Sequence, residues 1–186
     1  MAEASRTTYI LVDGENIDAT LGTSILGRRP RPEERPRWER LLQFARERWG
    51  QPAQGLFFLA VNHELPMAFV QALLAIGYRP IALSGGSAEK VVDIAIDRTL
   101  AEIRRRDADV LLVSNDGDFV EPISELLDGR RVGVIGFVEF RNAGFVELVD
   151  EGLETFDLEY DVQAFNAQLP RVRIIPIDEF DPGEFL

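Results

Sequence analysis

Apolar residues in this chain arrive in short blocks, and the blocks alternate between two periods. The stretches "YILV" (9–12, in a strand over 8–13), "GLFFLAV" (55–61), "RPIAL" (79–83), "DVLLVS" (109–114) and "RVGVIGF" (131–137) are runs of strand length, rich in β-branched and aromatic residues. Between them the spacing turns helical. One helix is predicted over 37–49, with Trp38, Leu41, Leu42, Ala45 and Trp49 on one face, and another over 64–76, closed by Gly77. Further helices are predicted over 88–105, over 118–128 before Gly129, and over the short segment 141–150. Strands apolar on both faces and alternating with helices predict an α/β fold, a three-layer α/β/α sandwich around a mostly parallel sheet. The pattern divides the chain into a domain over 1–150 and an extension over 151–186. Within the domain, the Gly-, Pro- and Arg-rich residues 20–37 read as a long loop. In the extension, "VRIIPI" reads as an edge strand and "DEFDPGEFL" as a flexible acidic end.

Composition narrows the chemistry. A chain of 186 residues is long enough to bury a substantial core in one domain. The absence of cysteine removes disulfides, thiolate metal sites and cysteine nucleophiles. No apolar run is long enough for a membrane span, and the start "MAEASRTT" lacks the regions of a signal peptide, which predicts a cytoplasmic protein without membrane contact. The formal net charge of −12 argues against broad attraction to nucleic acid. The excess is uneven, however: residues 151–186 hold nine acids against two arginines, so more than half of it lies in the tail and the body can still present a basic face.

Three groups of carboxylates fall where a parallel sheet gathers functional residues, beyond the carboxyl ends of its strands. Asp13 ends the first strand, with Glu15, Asn16 and Asp18 behind it; Asp116 and Asp118 follow "DVLLV"; Asp93 and Asp97 sit four apart on one helix face, with Lys90. Oxygen ligands of this kind suit Mg²⁺ or Mn²⁺, which take one or two carboxylates and complete an octahedron with water and substrate phosphate. Capping explains some of these residues singly, since Asp116 or Asp118 can cap the following helix. Asp93 and Asp97 can equally form the solvated stripe of an amphipathic helix. Glu15 and Asp18 read as surface or capping residues.

The segments "LVDGENI", "EKVVDIAIDRTL" and "LLVSNDGDF" resemble, in order and spacing, the three signature segments of NYN domains, the LabA-like branch of the PIN-like nuclease superfamily. The resemblance spans residues 8–150. It implies a PIN-like sandwich and a metal-dependent endoribonuclease-type site. On that reading Asp13, Asp93, Asp116 and Asp118 are catalytic metal ligands, with Asp97 one turn further along the helix. Asn16 matches the nearby polar residue. From the residues themselves, Ser114 is a supporting candidate, and Lys90, on the carboxylate face, is a candidate to hold a phosphate or balance the acids, against an exposed lysine.

The expectation is therefore a ribonuclease that hydrolyses single-stranded RNA with a water activated by Mg²⁺ or Mn²⁺. Arg28, Arg29 and Arg31 of "GRRPRPEERPR" are candidates for phosphate contact, against a solvated loop stiffened by prolines. "SGGS" (84–87) reads as a turn and N-cap, and His63 as a surface residue at a strand end. Two rival functions stand: a silent RNA- or protein-binding module on the same scaffold, and another phosphoryl hydrolase. A phosphatase with an Asp nucleophile favours D-x-D after the first strand, where this chain has Asp13-Gly14-Glu15. A homodimer and a protein partner docked through the tail remain open.

Overall fold

The computed structural model describes residues 6–86 and 90–186. Six strands form one all-parallel sheet: β1 (Thr7–Asp13), β2 (Ala53–Ala60), β3 (Tyr78–Leu83), β4 (Ala108–Val113), β5 (Val132–Gly136) and β6 (Glu154–Asp157), in the order β3-β2-β1-β4-β5-β6. The helices are α1 (Gly14–Ala19), α2 (Trp38–Trp49), α3 (Met67–Ile76), α4 (Val91–Arg104), α5 (Val120–Ser124) and α6 (Ala143–Glu147). Alternate residues of the central strands feed two separate cores. Ile10, Val12, Leu111 and Val113 pack with α1, α2 and α3 on one face; Leu11, Val110 and Leu112 pack with α4, α5 and α6 on the other. The result is the three-layer sandwich expected from strands that are apolar on both sides. Among the described residues, no helix is long and apolar enough to cross a membrane.

The strand order fixes where function can sit. From β1 the chain builds outward through β2 and β3, then returns to the other side of β1 to lay down β4, β5 and β6. The connections leaving β1 and β4 therefore diverge, opening a crevice at the carboxyl ends of these two strands. Val12 pairs in register with Val113, so Asp13 and Ser114, one residue on in each strand, stand side by side at its floor.

Several boundaries differ from the sequence reading. Residues 20–37 are not one loop: α1 continues as π-helical turns over Thr20–Leu26, and Pro32–Glu34 forms a 3₁₀ turn. Leu21 is fully buried, Ile25 and Leu26 pack on the core, and Gly27 ends the helix at a φ of 67°. Burial thus overrides a composition rich in Gly and Arg. The third helix starts at Met67, after Pro66, rather than at 64. The expected helix over 118–128 is a 3₁₀ turn followed by the short α5. The start of the 88–105 helix and the end of "SGGS" fall on residues 87–89, outside the described residues; from Val91 the helix runs as expected.

The edge strand is β6, and "VRIIPI" is not a strand. Residues 158–169 then fold back over the first core, burying Leu158, Val162, Ala164 and Leu169. Arg40 ties this segment to α2 by donating to the Gln163 and Phe165 carbonyls and to Asn166. Arg171 locks it. Its guanidinium, 1 % exposed, donates to Glu139, Asp157 and Glu159 and stacks on the Tyr160 ring at 4.3 Å. Beyond these contacts Val172 and Ile174 are exposed.

Burial drives the Asp157 carboxyl upward, but Arg171 and the backbone N–H groups of Tyr160 and Val138 outweigh it and hold the group below its usual range. Its contribution to stability is therefore present above the ordinary carboxylate range and fades as pH falls through its depressed pKa. Arg171→Ala strands three acids and is expected to lower stability by about 3–5 kcal/mol at neutral pH. Urea unfolding of the variant against wild type checks this, and the gap should narrow in acid. A loss below about 1 kcal/mol would contradict the burial argument.

Candidate metal centre

Asp13 ends β1 with its side chain 2 % exposed, and the carboxylate does two local jobs. Oδ1 caps α1 by accepting from the Asn16 N–H at 3.4 Å, and Oδ2 accepts from the Ser114 hydroxyl at 2.9 Å. Ser114 in turn accepts from the Asp116 N–H at 3.1 Å, so one hydroxyl joins the ends of β1 and β4. Asp116 caps the next turn, accepting from the Asp118 N–H at 2.9 Å. Capping and clustering are thus compatible here, not competing explanations. Asp93 reaches the crevice from the first turn of α4.

Asp13, Asp93 and Asp116 each offer an oxygen, and the three oxygens lie within 4.8 Å of one another. They line a cleft of about 360 Å³ together with Glu15, Asn16, Ala60, Lys90, Val91 and Val92. Burial pushes the Asp13 carboxyl up to about 6, and the nearby Asp93 and Asp116 charges add to the shift against the hydrogen bonds from Ser114 and Asn16. Asp93 is also raised, first by burial and then by Asp116. Adjacent oxygens around an octahedral Mg²⁺ stand about 3 Å apart, so oxygens within 4.8 Å of one another would draw together on sharing one ion. The all-oxygen donor set, one member buried and two half-buried, and its excess of negative charge both fit a hard divalent cation.

The remaining candidates lie apart from the triad. Asp97 is exposed and lines a separate groove between α4 and α5, with Arg104, Asp118, Glu121 and Glu125. The helix runs back from the crevice, so a residue four further along sits about 6 Å deeper down its axis. Asp118 is turned outward by the 3₁₀ geometry and meets Lys90 at 3.4 Å. Arg28 is held by Glu34 through contacts at 2.7 and 2.5 Å, and Arg35 by Asp18. Arg29 and Arg31 are exposed, and none of Arg28, Arg29 and Arg31 lines the acidic cleft. His63 is exposed at the end of β2.

One residue escaped the sequence reading. Asn115, 7 % exposed, donates its backbone N–H to Asn16 Oδ1 at 2.8 Å and accepts from the Phe137 N–H through its own Oδ1 at 2.9 Å. It thereby pins α1, β4 and the end of β5 together behind the carboxylates. A Cβ on Gly136 would stand 2.2 Å from that Oδ1, which explains the glycine. A polar residue between Ser114 and Asp116 at the end of a buried strand was the available signal.

The Asp13 shift has a direct consequence for stability. The folded state holds this proton more tightly than the unfolded chain, so stability is lost as pH rises from about 4 through about 6. Asp13→Asn removes the buried charge while keeping an amide that hydrogen-bonds at both positions. In EDTA at pH 8 the variant is expected to be more stable than wild type by about 1–3 kcal/mol, with the gain vanishing toward pH 4. Thermal unfolding across pH measures it; a variant less stable at pH 8 than at pH 4, relative to wild type, would contradict the assignment.

Comparison with known proteins agrees with this geometry at the level of fold and family. A crystal structure of a protein of unknown function from Vibrio parahaemolyticus matches with a TM-score of 0.68 at 18 % identity, over 87 % of this chain and 98 % of that one. Among curated protein sequences, none matches. The model of the NYN domain matches residues 7–153, from the first residue of β1 to the turn before β6, and the chain therefore belongs to the NYN domain family.

Proposed function

We propose that this protein is a metal-dependent ribonuclease of the PIN-like type, hydrolysing phosphodiester bonds in single-stranded RNA. The observation that carries the reading is the convergence of Asp13, Asp93 and Asp116 from three separate segments on one cleft. Membership of the NYN family supports it. Asp13, Asp93 and Asp116 would hold Mg²⁺ or Mn²⁺; such an ion, when bound, acidifies water and offsets charge on a phosphodiester under attack.

The chain's own residues prepare for that chemistry. Ser114 and the Asn16 N–H fix both oxygens of Asp13, leaving its remaining lone pairs directed to the cleft. Asn115 and Asn16 hold β4 and α1 at a set spacing, so the ligands from these elements are ordered before anything binds. Asp118 and Asp97 lie outside the triad and act through charge rather than ligation. Arg29 and Arg31, free of the ion pair that occupies Arg28, supply the cationic surface for the RNA backbone away from the cleft.

Cleavage of a fluorescent single-stranded RNA is expected with Mn²⁺ and to vanish in EDTA. Asp116→Asn, which keeps the cap but weakens ligation, is expected to lower the rate at least a hundredfold. Cleavage surviving EDTA or the substitution would overturn the mechanism. Mn²⁺ binding without cleavage of any single-stranded RNA would favour a binding module on the same scaffold.

A further inference from the structure

The only lysine among the chain's twenty basic residues stands at the mouth of the acidic cleft. Its ammonium lies 3.7 Å from Asp93 Oδ2 and 3.4 Å from Asp118 Oδ2. Both separations are long for a charge-assisted contact, and the side chain is 71 % exposed. It is thus held loosely, by one long hydrogen bond to Asp118 and by the charge of Asp93, on a flexible four-carbon stem. The short ion pairs among the described residues are made by arginine, for example Arg171 on Asp157 at 2.6 Å, Arg28 on Glu34 and Arg35 on Asp18 at 2.7 Å. A guanidinium clamps a carboxylate through a fork, whereas an ammonium is a point charge that can leave.

We infer that Lys90 is a displaceable counter-ion: it offsets Asp93 and Asp118 while the cleft holds no divalent cation, and is repelled toward an incoming phosphate when one binds. This rests on the metal reading above. The same oxygens cannot serve both cations at full strength, since Asp93 belongs to the triad and to the Lys90 pair. A divalent cation among Asp13, Asp93 and Asp116 raises the local potential and frees the ammonium, which remains at the rim where a phosphodiester must enter. Lys90 therefore works against the metal and for the substrate, and its removal should move the two affinities in opposite directions.

The test uses the full chain. In Mn²⁺ calorimetry, Lys90→Met is expected to bind about three- to tenfold more tightly than wild type, and Lys90→Arg no more tightly than wild type. Binding of a fluorescent phosphorothioate single-stranded RNA in saturating Mg²⁺ should weaken about five- to tenfold in Lys90→Met and by less in Lys90→Arg. Because there is one lysine, reductive ¹³C-methylation, which preserves its charge, gives a single side-chain amine resonance; Mg²⁺ should shift it with the saturation seen for binding. Unchanged or weaker Mn²⁺ affinity in Lys90→Met, or a resonance that ignores Mg²⁺, overturns the counter-ion role alone. Unchanged RNA affinity in Lys90→Met overturns the phosphate contact. Wild type that takes up no Mn²⁺ overturns the metal reading, and this inference with it.

Discussion

The Asp13 carboxylate sits at the end of the central strand with 2 % of its surface exposed, beside two further carboxylates. A buried charge must be paired, neutralised or met by a ligand. The groups that touch Asp13 are a hydroxyl and a backbone N–H, which orient it without cancelling its charge. Ser114 and the Asn16 N–H bond Asp13 directly, and Asn115 bonds Asn16 and Phe137, so that the ends of β1, β4 and β5 are fixed around it. The strand order that opens a crevice between β1 and β4 supplies the space.

A second buried acid in the same sheet shows the alternative solution. Asp157, at the end of β6, is 5 % exposed, but it faces the Arg171 guanidinium and several backbone donors. Its carboxyl is held below the usual range, whereas burial pushes Asp13 up to about 6. Two buried aspartates at strand ends of one sheet are thus shifted in opposite directions: Arg171 pairs with one, and among the described residues no cation pairs with the other. The chain contains enough arginine to pair both. The contrast between them is what supports the proposal that the Asp13 site takes its cation from outside.

How much of this was legible in the sequence depended on how local the cause was. The strands read easily because each is apolar on both faces, and three separated carboxylate segments read as one site because parallel sheets bring strand ends together. Thr20–Leu26 read as loop because glycine and the Arg- and Pro-rich residues that follow suggested one, while the burial of Leu21 that holds it helical is a tertiary contact. The edge strand was placed at "VRIIPI" on β-propensity; the Arg171 clamp, which no periodicity reveals, ends the packed chain before that segment. Asp97 shares a face with Asp93 on a helical wheel but not a depth, and a wheel carries no depth. Asp118 and Asp116 differ only through a 3₁₀ turn. Asn115 was passed over because its role lies in bonds to α1 and β5, neither adjacent in sequence.

The proposed function requires that Asp13, Asp93 and Asp116 hold a single divalent cation. A crystal soaked in Mn²⁺ and measured at a wavelength that reveals manganese tests it most directly. The expected result is an anomalous peak bonded to oxygens of all three aspartates at about 2.1–2.2 Å, with Ser114 still on Asp13. A crystal with no peak in the cleft, or with manganese only in the groove of Asp97, Asp118 and Glu121, would contradict it.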